Sequence, residues 1–202
     1  FLKVNKMKIE EIINDKEVIS KLSKDGIIEA TKVQEKAIPI ITKGKDSIIQ
    51  SETGSGKTLV FVLSIVENID RKGLRALIIV PTRELAKQIT HVFLKYTNLK
   101  TVSIYGGVPT NMQKLEEANV AVGTPGRLID LLNKGKLVLN NIQFFILDEA
   151  DRMLDMGFIT DIEKIIEACN KERQTVFFSA TVSKEVLRIG NKYMKPVSYT
   201  HL

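Results

Sequence analysis

Ser51-Glu52-Thr53-Gly54-Ser55-Gly56-Lys57-Thr58 is the stretch that decides the fold. The apolar run Ser47 to Gln50 stands directly before it, and the helical pattern of residues 57 to 69 directly after. Strand, glycine-lined loop and helix start together make the construction that a phosphate chain needs. Glycines let backbone N–H groups converge on the oxygens, the helix N-terminus adds its dipole, Lys57 neutralises charge, and the Thr58 hydroxyl suits a magnesium ion. Thr53, Gly54, Ser55 and Gly56 are the candidate cradle residues. Ser51 fills the first position, where the general pattern has glycine. The competing reading is a Gly/Ser turn with an incidental lysine.

On either side of this loop the chain alternates two periods, which points to a parallel sheet covered by helices. Ile9, Ile12, Ile13, Ile19 and Leu22 fit one helical face closed by Gly26, and Thr31 opens a second helix that Gly44 ends. Short buried runs follow at Ser47 to Gln50, Ala76 to Val80, Thr101 to Tyr105, Val120 to Val122, Phe144 to Leu147 and Thr175 to Phe178. These are six expected strands, too continuous in apolar content to be wet on one face. Long helices are expected near 57 to 69, 83 to 97, 158 to 169 and 183 to 193. The expectation is one α/β domain, a mostly parallel twisted sheet with helices on both faces and all strand C-terminal ends on one edge.

Composition agrees. The 202 residues are 44% hydrophobic and 27% charged, which excludes fibrous and disordered classes. No apolar run approaches the ~18 to 20 residues of a membrane span. The single cysteine, Cys169, sits in an apolar helical pattern and reads as core packing in a reducing, cytoplasmic setting, with no signal peptide in view. The net charge of +6 suits a polyanionic partner without demanding one. Residues 1–30 are taken as a helical extension and 197–202 as a tail outside the domain.

A bound triphosphate also needs a carboxylate facing the loop. Phe144-Phe145-Ile146-Leu147-Asp148-Glu149 supplies one, with Asp148 at the tip of a doubly buried strand and Glu149 beside it, able to polarise a water. Taken alone, such an acidic pair also fits a helix cap or a solvated turn. Beside a phosphate loop it implies nucleoside triphosphate hydrolysis.

Asp148-Glu149-Ala150-Asp151, Ser179-Ala180-Thr181, Pro81-Thr82-Arg83-Glu84-Leu85-Ala86, Gly106-Gly107 and Thr124-Pro125-Gly126-Arg127 then narrow the class. In order and spacing they match the DEAD-box RNA helicases, and residues 9 to 196 resemble the first RecA-like P-loop domain of that family. The resemblance implies ATP and Mg2+ as ligands. Lys57 and the loop amides would hold phosphates, Thr58 and Asp148 the metal partly through water, and Glu149 the attacking water. Gln34, opened by Thr31, falls where the family reads adenine, although the same pair also forms a helix capping box. Ala30, Ile27 and Lys32 replace the usual proline, aromatic and proline there. Ile9 aligns with the family's stacking aromatic and would cover the base without aromatic stacking.

The resemblance further implies that Pro81, Thr82 and Arg83, the Gly106-Gly107 turn, and Thr124, Pro125, Gly126 and Arg127 hold the RNA backbone irrespective of sequence. Taken singly, each turn also fits a bland reading, Arg83 with Glu84 as a surface ion pair among them. Ser179 and Thr181 would bond Asp151 and couple nucleotide to RNA, or else cap the helix near Ser183. The partners implied are RNA and a second RecA-like domain that carries the arginine fingers. A monomer is expected, with little hydrolysis by these 202 residues alone. A non-catalytic ATP-dependent RNA clamp or adaptor, and a DNA helicase of the same superfamily, remain the alternatives.

Overall fold

The computed structural model describes residues 6–52, 54–195 and 198–201. Among them seven strands form one sheet: β1 Ser47–Gln50, β2 Ala76–Ile79, β3 Thr101–Ile104, β4 Val120–Gly123, β5 Phe144–Leu147, β6 Gln174–Ser179 and β7 Ser198–His201. Their spatial order is β3-β4-β2-β5-β6-β1-β7, and every pairing is parallel. The six expected strands are present to within two residues. Ser198–His201, expected to lie in a tail, instead pairs with β1 along its whole length.

Period-two alternation divides the strands between two cores. Ile49, Ile78, Val122, Ile146 and Phe178 join one cluster. Their neighbours Ile48, Ile79, Ala121, Leu147 and Phe177 join the other. Helices α1 Lys16–Lys24, α2 Lys32–Thr42, α3 Lys57–Asn68 and α4 Arg83–Tyr96 cover the first face. Short α5 Met112–Glu117, then α6 Pro125–Asn133, α7 Ala150–Asp155, α8 Ile159–Ala168 and α9 Lys184–Tyr193 cover the second. Cys169 is buried there as expected, and burial pushes its thiol up to about 12.

The single N-terminal helix is corrected. Ile9–Glu11 is one turn of 3-10 helix, and α1 begins only after Asp15, whose side chain accepts the N–H groups of Glu17 and Val18 at 3.1 Å. Glu67 of α3 causes the break: its Oε1 accepts the N–H of Asn14 at 2.8 Å and of Asp15 at 2.9 Å, and donors spent on a distant carboxylate cannot continue a helical ladder. Nor is the segment an appendage, because Ile9, Ile13, Val18 and Leu22 lie in the same core as α2, α3 and α4.

Candidate active site and nucleic-acid face

Because all strands run one way, the loops after them share one edge. Ser51 follows β1, Asp148 follows β5, and Ser179 ends β6, which lies between them. The Ser51 N–H donates to Ser179 O at 3.0 Å and ties two of these tips together.

Gly54 and Gly56 take left-handed backbone conformations, φ 80° and 94°. The turn they allow delivers the chain into α3, with Lys57 as its first residue and Thr58 as its second. Lys57 is 8% exposed and its Nζ donates to Ser51 O at 3.0 Å. Thr53 lies outside the described residues.

Asp148 is 4% exposed. Burial pushes its carboxyl up to about 6, against the pull of Lys57 and the Glu149 N–H, which donates to Asp148 Oδ1 at 3.0 Å. The charge of Lys57 thus acts on Asp148 across the strand ends. Glu149 caps α7 at φ 52°, and its Oε2 pairs with Arg152 Nη1 at 3.0 Å. Asp148 is the single buried carboxylate here, and no cluster of three or more His, Cys, Asp or Glu side chains able to hold a metal occurs among the described residues. That donor set fits Mg2+, which takes one or two protein carboxylates and completes its shell with phosphate oxygens and water.

Gln34 forms the capping box weighed from sequence. Its Oε1 accepts the Thr31 N–H at 2.9 Å and its N–H donates to Thr31 Oγ1 at 3.5 Å, a capping box. Its Nε2 reaches on to Gly56 O at 3.2 Å and fastens α2 to the phosphate loop. Beside it opens a cleft of about 800 Å3, with Ile28 and Ala30 as its apolar wall and Thr31 and Lys32 at its rim. Ile9 does not line it. That side chain is 2% exposed and sunk in the core.

Ser179 and Thr181 meet Asp151 rather than the helix after them. Thr181 N–H and Oγ1 each donate to Asp151 Oδ2 at 2.8 Å, and Ser179 Oγ accepts the Asp151 N–H at 3.1 Å. Burial raises the Asp151 carboxyl, and the Thr181 bonds outweigh it, leaving the group below its ordinary value. Ser183, not either of these, caps α9.

The remaining turns stand along the other half of the same edge, after β2, β4 and β3. Thr82 Oγ1 caps α4 at Leu85 N, 3.2 Å away, and Arg83 pairs with Glu84 at 2.8 Å in the open. Gly107, φ 86°, lies against Arg83. Pro125 starts α6, and the Thr124 N–H donates to Ile104 O at 2.9 Å. Arg127 is engaged by Asp130 at 2.5 Å and by Thr110 Oγ1 at 3.3 Å. Sequence reasoning missed Arg152, Asp130 and Thr110. The i,i+3 spacing of Glu149 with Arg152 and of Arg127 with Asp130 was the available signal. Thr110 had none.

Comparison with known proteins adds the following. Residues 31–189 match the family model described as DEAD/DEAH box helicase. A probable ATP-dependent RNA helicase of Methanocaldococcus jannaschii is 41% identical over 98% of this chain and 56% of its own. The ATP-dependent RNA helicase CshA of Listeria monocytogenes is 41% identical over 93% of this chain and 38% of its own. Among solved structures, a DEAD box protein from the hyperthermophile Methanococcus jannaschii superposes with a TM-score of 0.93 at 40% identity, covering 96% of this chain and 56% of that one. A hypothetical ATP-dependent RNA helicase from Sulfolobus tokodaii gives 0.86 at 32% identity, covering 94% and 57%. The chain thus spans about half the length of these relatives, or less.

Proposed function

This chain belongs to the DEAD/DEAH box helicase family, and from that premise we propose that it is the first motor domain of an ATP-dependent RNA helicase, working with a second RecA-like domain. Lys57 and the amides of the 54–58 turn bind the phosphates, Thr58 and Asp148 hold Mg2+, Gln34 reads the base, and Glu149 orients the attacking water. When bound, Mg2+ neutralises charge on the phosphates. The turns at 81–83, 106–107 and 124–127 hold the RNA backbone through N–H groups and hydroxyls, and the Asp151, Ser179 and Thr181 cluster links the two halves of the edge.

The observation that carries this reading is the buried Asp148 set against Lys57 at the ends of β5 and β1, where a carboxylate has no packing role. The test is Glu149→Gln in the full-length protein. RNA-stimulated ATP hydrolysis is expected to fall by ~10^2-fold or more while ATP binding survives. Retained hydrolysis refutes the assignment. Equal stimulation by single-stranded RNA and DNA would favour a DNA helicase, and a full biological effect without hydrolysis a clamp.

A further inference from the structure

Glu149 is the one non-glycine residue with positive φ among those described. A long side chain rarely holds that conformation unless its surroundings impose it. At the backbone its N–H donates to Asp148 Oδ1, and its carboxylate separately pairs with Arg152 one turn along α7, at 3.0 Å. Arg152 is itself bound backwards, since its N–H donates to Asp151 Oδ1 at 3.0 Å while Asp151 Oδ2 takes both bonds from Thr181. A continuous line Glu149, Arg152, Asp151, Thr181 therefore joins the start of α7 to the end of β6.

We propose that Arg152 is a positioning residue that parks the Glu149 carboxylate along α7 when no nucleotide is bound, so that the ion pair opens as Glu149 turns to its water. The inference rests on the reading of Glu149 given above. Side chains at i and i+3 meet along the helix axis, so this pair draws the carboxylate toward the following turn, whereas the Lys57 ammonium acts on Asp148. The side chains of Arg152 and Glu149 are 57% and 21% exposed. A pair so wetted shifts populations by only a few-fold, which suits a contact that breaks at every turnover.

The experiment is steady-state ATP hydrolysis by the full-length protein with and without single-stranded RNA. Arg152→Gln should raise the RNA-independent kcat by about two- to fivefold with KM for ATP unchanged, so the RNA stimulation ratio falls by the same factor. Arg152→Lys keeps the charge and should restore wild-type behaviour. Arg188→Gln, which removes an equally exposed partner of Glu163 on α9, should change nothing. In a Glu149→Gln background the rise should vanish. An unchanged or lower RNA-independent kcat in Arg152→Gln overturns the parking role and leaves the active-site assignment standing. Turnover that survives Glu149→Gln alone overturns both.

Discussion

Gly56→Ala tests how the phosphate loop is built. Gly56 sits at φ 94°, ψ 18°, where an L side chain costs ~1–2 kcal/mol. A Cβ there would also lie 2.7 Å from Gln34 Nε2 and 3.2 Å from Thr31 Oγ1. The carboxamide is 2% exposed and would lose its bond to Gly56 O, a buried donor left unmatched at ~1–3 kcal/mol. Together these give ~2–5 kcal/mol. Gly54→Ala is the internal control, because Gly54 has a similar φ of 80° and nothing within 4 Å of the added carbon. It should cost only the backbone part, ~1–2 kcal/mol. Urea unfolding of both variants without nucleotide measures the difference, and at ~2–4 °C per kcal/mol a thermal melt shows it too. Gln34→Ala clears the closest of these contacts, so Gly56→Ala in that background should cost less than in the parent and approach Gly54→Ala. Equal costs for the two glycines in the parent, or strict additivity with Gln34→Ala, would refute the claim that Gln34 braces the loop.

Asp148→Asn should stabilise the nucleotide-free protein at neutral pH. The carboxyl is raised in the folded state to about 6, so the native chain holds its proton longer than the unfolded one and loses stability as pH climbs through that window. Two pH units of displacement amount to ~3 kcal/mol. The variant and parent should match near pH 4 and diverge by up to that amount at pH 7 in urea titrations; a gap independent of pH counts against the cause given. Thr181→Val removes the hydroxyl from Asp151 Oδ2 and should cost ~1 kcal/mol of stability. In a double-mutant cycle with Asp151→Asn the losses should fall short of additive by at least ~0.5 kcal/mol, and full additivity would mean the contact contributes nothing.

The strands were readable because burial on both faces leaves an unbroken apolar run. Phe144 and Ile146 go to one core and Phe145 and Leu147 to the other, so no polar residue interrupts. The N-terminal periodicity misled for a related reason. Ile9, Ile13 and Leu22 do share a core, but they reach it from two separate pieces, and the break depends on Glu67, 53 residues away from Asn14. Helices α5 and α7, six residues each, are too short to show a period. At the site, Lys57 and Asp148 were found by position relative to strand and helix ends, and Gln34 through family resemblance. The pairing of Asp151 with Thr181 spans 30 residues and was visible only through family resemblance. The Arg127 to Thr110 bond, set by how two loops fold over one edge, left no mark in spacing at all.

The family match begins at residue 31, yet the hydrophobic interior begins at Ile9. Helix α1 seals the flank of α4 with Leu22 beneath and with Asp25 holding Tyr96 Oη at 2.7 Å and Lys95 at 2.6 Å. A gene trimmed at the motif boundary would therefore encode a protein with a bare oily wall along α4. Sticky, poorly soluble product from such a truncation would reflect lost packing rather than a defective enzyme, and expression designs should start upstream of Met7.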